Sequence, residues 1–190
     1  MNVRIARLED APAMARVMVD TYAPAHRGQV PEEVLTRKYA DWGYEVSERA
    51  WARDLREIAV EPSARACLYV ALDDSDNVVG VSMGGPTEHE QFAAAPEQTG
   101  EVFCLYVLPE HQGRGHGRRL VRATAAELAR KGMPALLIRC LATNLPARRF
   151  YEALGGQEVG SLDREEYGHT MREVVYFWPE TTALVAGETG

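Results

Sequence analysis

The chain has 190 residues, 46% hydrophobic and 26% charged, the mixture of one soluble globular domain rather than of a disordered or membrane-embedded chain. Lysine and arginine number 21 against 28 for aspartate and glutamate, and the net charge of −7 argues against a general nucleic-acid binder and suits a small cationic partner better. Cys67, Cys104 and Cys140 form no Cys-x-x-Cys pair, which excludes a disulfide framework or zinc site and leaves them reading as buried free thiols; no apolar stretch approaches the ~18 residues of a membrane span, and the expected location is cytoplasmic.

Val3, Ile5 and Leu8 alternate with arginines as a short strand. Asp10 then caps a helix whose face is Ala11, Met14, Ala15, Met18 and Tyr22, closed by Pro24 and Gly28. Pro31 opens a second helix to about Trp42, and Ser47 caps a third to Ile58. Ala66–Leu72 and Val78–Gly84 read as an antiparallel hairpin joined by an aspartate-rich turn. Pro86–Gly100 is a polar, alanine-rich surface connection. Val102–Leu108 is a buried strand, Gly115–Lys131 a helix stopped by Gly132, and Ala135–Leu141 a second buried strand. That βαβ order makes the two strands parallel neighbours. Asn144 caps a helix with Ala147, Phe150, Tyr151 and Leu154 inside, and strands follow at Gln157–Leu162 and Met171–Trp178. One α/β domain with a mixed sheet spans residues 1–179, and residues 180–190 read as a flexible tail.

The segment Pro109–Arg119 carries the chemistry. Gly113, Gly115 and Gly117 let the backbone approach a ligand closely, and the following helix start offers unpaired N–H groups to a phosphate. Arg114, Arg118 and Arg119 concentrate positive charge in an acidic chain. No Gly-Lys-Ser/Thr string occurs, and Arg118 breaks a dinucleotide fingerprint, so both common nucleotide loops are excluded.

Gln112, Gly115 and Gly117 form a Gln-x-x-Gly-x-Gly string after a Leu-Tyr-Val-Leu-Pro run, and Asn144, Ala147, Phe150, Tyr151 and Gly155 form an Asn-x-x-Ala-x-x-Phe-Tyr-x-x-x-Gly segment. In this order the two motifs resemble those of the GCN5-related N-acetyltransferase (GNAT) superfamily. The resemblance implies a single GNAT-like domain: a largely antiparallel mixed sheet of about seven strands flanked by helices, with a splayed parallel pair forming an acetyl-CoA cleft. It implies an acyltransferase using acetyl-CoA as cosubstrate, without a metal, acting on the primary amine of a small molecule or a protein. The alternative is a non-catalytic acyl-CoA-binding regulatory domain on the same fold. The backbone of Leu105 and Val107 would line the pantetheine arm, with Asn144 nearby. Gln112, Gly113, Arg114, Gly115, His116, Gly117 and Arg118 would hold the pyrophosphate.

By the same resemblance, Tyr151 would donate a proton to the leaving thiolate. Glu101, eleven positions before Gln112, is the candidate general base, directly or through water. His111 and His116 read as loop side chains; His26, His89 and His169 border the acceptor region. Tyr22, Tyr39, Trp42 and Tyr44, with Asp41 and Glu45 and with Tyr167 and Tyr176 later in the chain, can enclose an amine, although core packing accounts for most of them one by one. A small amine, an aminoglycoside-like molecule, a protein N-terminus and a lysine all remain open as acceptors, with no nucleic-acid or membrane partner and a homodimer by family analogy.

Overall fold

Short runs of β-branched residues and glycine- or aspartate-rich turns build one seven-stranded sheet in the computed structural model, which describes residues 2–61, 65–93 and 95–186. The strands are β1 (Asn2–Ile5), β2 (Cys67–Leu72), β3 (Val78–Pro86), β4 (Thr99–Val107), β5 (Ala135–Leu141), β6 (Gln157–Glu166) and β7 (His169–Trp178). Their spatial order is β1-β2-β3-β4-β5-β7-β6. Every neighbouring pair is antiparallel except β4 and β5, as the intervening helix requires. The helices are α1 (Ala11–His26), α2 (Glu32–Asp41), α3 (Tyr44–Val60), α4 (His116–Arg130), α5 (Leu145–Ala153) and α6 (Thr182–Ala186).

Three apolar clusters hold these elements; the smallest seats Val34 and Leu35 of α2 against Leu141 of β5 and Met171 of β7, and two larger ones hold the rest. One joins Met14 and Val17 of α1, Trp51 and Leu55 of α3, and Val70 and Val81 of the sheet. The other joins Val121 and Leu128 of α4, Ile138 of β5, Tyr151 of α5, and Val174 and Trp178 of β7. Each large buried side chain contributes roughly 1.5–3 kcal/mol by leaving water. Trp178 also donates its indole N–H to the Leu154 carbonyl at 3.0 Å, tying β7 to the end of α5.

Four local departures from the sequence pattern have identifiable causes. Helix α1 runs through Pro24 to His26, and His26 Nδ1 donates to the Tyr22 carbonyl at 2.8 Å across the last turn. Helix α3 begins at Tyr44, because the buried Ser47 turns its hydroxyl back onto the Trp42 carbonyl at 2.7 Å instead of capping. Strands β6 and β7 extend to a two-residue turn, Tyr167 and Gly168, whose φ values of 52° and 77° match the right-handed twist of a hairpin. Past Pro179 the chain re-enters order as α6, with Leu184 buried in the second cluster; residues 187–190 lie outside the described residues. No helix among the described residues is long and apolar enough to cross a membrane.

Candidate active site

Strands β4 and β5 pair from Thr99↔Ala135 to Val102↔Ile138 and then part, although β4 continues to Val107 and β5 to Leu141. On its other side β4 stays paired with β3, opposing Val107 to Gly80 and Leu105 to Ser82. Leu108 N–H donates to the Val79 carbonyl at 2.9 Å, so Leu108 and Val79 form a hydrogen-bonded pair. Antiparallel pairs alternate, and the N–H groups of Leu105 and Val107 therefore face away from β3, toward the gap that β5 has left. An open cleft of about 1310 Å³ occupies that gap and reaches α1 and α2. It exceeds the ~300–1,000 Å³ usual for one small-molecule site and so has room for two substrates.

The glycine loop closes one end of the cleft. Gln112 Nε2 donates to the Val107 carbonyl at 2.9 Å and pins the loop to the end of β4. Gly113 and Gly115 take φ values of +72° and +85°, a conformation that costs glycine least. Gly115 caps α4 without a side-chain hydrogen bond, so the first N–H groups of the helix stay available to an anion. A Cβ on Gly117 would lie 3.3 Å from Phe150 Cζ, which sets how closely α4 approaches α5. Arg118 lines the cleft, whereas Arg114 does not. Arg119 folds over Gly115 and donates to the Arg114 carbonyl at 3.4 Å. His116 is buried beside His111, with ring centroids 6.2 Å apart, and Nδ1 of each ring lacks a hydrogen-bond partner. Burial lowers the His116 pKa, with Arg119 and His111 adding to the effect, so the ring stays neutral and its polar offering is the main-chain N–H.

Asn144 is both a cap and a wall residue. Its Oδ1 accepts from Ala147 N–H at 3.2 Å, and its Nδ2 has no hydrogen-bond partner among the described residues. Tyr151 lies against Tyr176 and Trp178 with ring centroids at 5.7 and 6.4 Å. Burial raises its phenol pKa well above 10, so the hydroxyl keeps its proton. The sequence-selected residues Leu105, Val107, Gln112, Gly113, Gly115, His116, Gly117, Arg118, Asn144 and Tyr151 thus share one cleft.

Glu101 does not join them. It lies inside β4 rather than at its start, is 1% exposed, and is absent from the cleft wall. Its Oε1 accepts from Arg139 Nε at 2.7 Å and its Oε2 from the Thr87 hydroxyl at 2.9 Å. A base must reach the proton that it takes, and this carboxylate is covered by its own partners. Its visible effect is to hold Arg139. That guanidinium continues a chain of alternating charge: Arg139 Nη1 to Glu173, Arg164 Nε to the other oxygen of Glu173, Arg164 Nη1 to Glu166, and Lys38 Nζ to Glu166. The Lys38 ammonium also sits over the rings of Tyr22 and Trp42, 5.6 and 5.8 Å from their centroids.

Arg139, Arg164, Glu173 and Lys38 line the cleft and were not selected from the sequence. A signal existed for one of them, since Arg139 is the only charge in the apolar run Ala135–Leu141. His26 also lines this half; burial lowers its pKa, and with Nδ1–H donated to the Tyr22 carbonyl, Nε2 is an acceptor with no hydrogen-bond partner among the described residues. Among the described residues no group of three or more His, Cys, Asp or Glu side chains is arranged to hold a metal ion.

A seven-stranded mixed sheet parted at one parallel pair, with a glycine loop feeding a helix N-terminus at the parting, makes a single α/β domain with a cleft large enough for two ligands. The chain belongs to the acetyltransferase (GNAT) family, whose model matches residues 32–156. It is 29% identical over 185 residues to the uncharacterized N-acetyltransferase YuaI of Bacillus subtilis, covering 97% of this chain and 96% of that one. Among solved structures it resembles the PaiA N-acetyltransferase of Thermoplasma acidophilum in complex with coenzyme A, with a TM-score of 0.66 at 16% identity over 90% of this chain and 96% of that one. The yncA protein of Salmonella typhimurium, solved with its cofactor acetyl-CoA, gives a TM-score of 0.66 at 18% identity over 94% and 92%. At these identities the structures speak for the shared fold.

Proposed function

We propose that the protein transfers an acetyl group from acetyl-CoA directly to a primary amine held in the same cleft. The observation that carries this reading is the parting of β4 and β5 beside the loop that opens α4. Bound acetyl-CoA supplies the activated acetyl thioester. The N–H groups from Gly113 to Arg118 bind the pyrophosphate, in a cradle whose positive φ values admit little but glycine. The outward-facing backbone of Leu105 and Val107, with Asn144 Nδ2, orients the pantetheine arm.

Two protons must move. An alkylammonium has a pKa of roughly 10, so the amine arrives protonated. His26 Nε2 takes that proton directly or through one water; its ring is neutral at pH 7 because burial holds its pKa below the usual histidine value. Tyr151 Oη holds the second proton, for the departing sulfur. Glu101 orients Arg139 and takes no proton.

Calorimetric titration with acetyl-CoA, with Gly117→Glu as control, followed by an amine panel read by free-thiol release, tests the proposal. The expected result is binding lost in the control and amine-dependent thiol release. Failure of acetyl-CoA to bind overturns the proposal, and binding without turnover of any amine favours the regulatory-domain alternative.

A further inference from the structure

The charged side chains in the α1–α2 half of the cleft differ in what they show to solvent. The side chains of Arg139, Arg164 and Lys38 are 23%, 33% and 27% exposed, whereas their partners Glu101, Glu173 and Glu166 are 1%, 11% and 11% exposed. The cations form the surface and the carboxylates lie beneath them.

Hydrogen-bond accounting gives the same direction. Both oxygens of Glu101 are taken, by Arg139 and Thr87. Both oxygens of Glu173 are taken by the two arginines, and both of Glu166 by Lys38 and Arg164. The donors are not used up. Arg139 commits Nε and Nη1, and its Nη2 has no hydrogen-bond partner among the described residues. An ammonium has three donors, and Lys38 commits one to Glu166. A network whose carboxylates are all taken while its cations keep spare charged donors is completed by a ligand that brings acceptors and negative charge.

We infer that the acceptor is a small amine that also carries a carboxylate, an α-amino acid or a close relative, with the carboxylate held by Arg139, Arg164 and Lys38. The inference rests on the acetyl transfer proposed above and names the class of its second substrate. The three cations anchor one end of the acceptor and leave its amine free to meet the thioester. A polycation such as an aminoglycoside or a lysine-rich peptide meets like charge on this wall. The acidic balance of the whole chain is cancelled here, three cations against three carboxylates, and the cations are the more exposed members.

The test uses the full chain, saturated with acetyl-CoA, and free-thiol release. The probes are the twenty L-amino acids, their carboxamides, kanamycin and an oligolysine peptide. The expected result is turnover of at least one amino acid, with kcat/KM lower by about 10–100-fold for its carboxamide. Lys38→Met, at a part-exposed site where Glu166 keeps Arg164, is expected to raise the amino-acid KM about tenfold and to leave the acetyl-CoA KM unchanged. Equal turnover of acid and carboxamide, or preference for kanamycin or oligolysine, overturns the inference. So does acetyl-CoA binding without turnover of any amino acid, which leaves the acetyl-CoA reading standing. Failure to bind acetyl-CoA overturns that reading and this inference together.

Discussion

Replacing Glu101 by glutamine separates two roles that a carboxylate on this strand could have. The amide is nearly isosteric, and at 1% exposure it stays buried. Its carbonyl can still accept from Arg139 and its NH2 can donate to the Thr87 oxygen, so both contacts survive in neutral form. What is lost is the charge assistance to Arg139, because a hydrogen bond to a charged group is worth about 1.5–3 kcal/mol and a neutral one about 1 kcal/mol. Glu173 still neutralises Arg139 from its other side, and the net loss should be about 0.5–2 kcal/mol. For a chain of this size that corresponds to a Tm lower by roughly 1–8 °C. A loosened Arg139 should also raise the acceptor KM. In contrast, removal of a general base lowers kcat by about 10²–10⁴-fold and abolishes the acidic limb of the pH profile. Differential scanning calorimetry together with steady-state kinetics from pH 5 to 9 distinguishes the two. A kcat fall beyond about 100-fold with an unchanged Tm and a missing acidic limb would refute the anchoring role.

Tyr151→Phe removes a hydroxyl that makes no hydrogen bond among the described residues, so Tm should move by less than 2 °C while kcat falls by about 10²-fold or more, as measured by thiol release. Because burial raises this phenol above its ordinary value, the protonated form persists through pH 10, and the wild-type rate should show no alkaline limb from Tyr151 below that pH. Burial lowers the His26 pKa, so the neutral base is full above the ordinary histidine value of about 6.5 and is lost only as pH falls through the depressed one. The acidic limb of kcat/KM should therefore lie below pH 6.5 and vanish in His26→Gln, and a limb retained in that variant excludes the role. Gly156→Ala would set a Cβ 2.5 Å from Trp178 Cζ2 and 3.0 Å from the Tyr151 carbonyl, and chemical denaturation should register a loss of about 1–3 kcal/mol from overpacking.

The glycine-loop end of the cleft was legible as a backbone shape because glycine is chosen for backbone reasons. Gly113 and Gly115 carry the positive φ values that the loop needs, and Asn144 carries the cap, so local spacing held the information. The half of the cleft beside α1 and α2 was not legible, because it is assembled by register across distant strands. Arg139, Arg164, Glu173 and Glu166 come from β5, β6 and β7, and Lys38 from α2. The outer half of β6 reads Asp163-Arg-Glu-Glu166, with no apolar alternation, and is a strand through its pairing with β7 rather than its own pattern. Glu101 shows what spacing alone leaves out. Its spacing to the loop pointed to chemistry, but the strand begins two residues earlier, at Thr99, and carries the carboxylate under Arg139. Ser47 and Pro24 show the same limit on a smaller scale, since a cap residue can bond backward and a proline can be carried by a helix whose last turn is tied elsewhere.

The parting of β4 from β5 leaves part of a central sheet without its lateral partner, at Leu105 and Val107 on one side and beyond Ile138 on the other. On the proposed reading, an extended pantetheine chain seated there would act as a surrogate strand, completing the ladder from outside the polypeptide. Binding and folding are then linked, and a ligand present at 100 times its Kd adds about 2.7 kcal/mol to global stability. Amide exchange at these two residues should slow on binding by more than the global increment predicts. The lifetime of the folded enzyme in a cell would accordingly rise and fall with the supply of its own acyl donor.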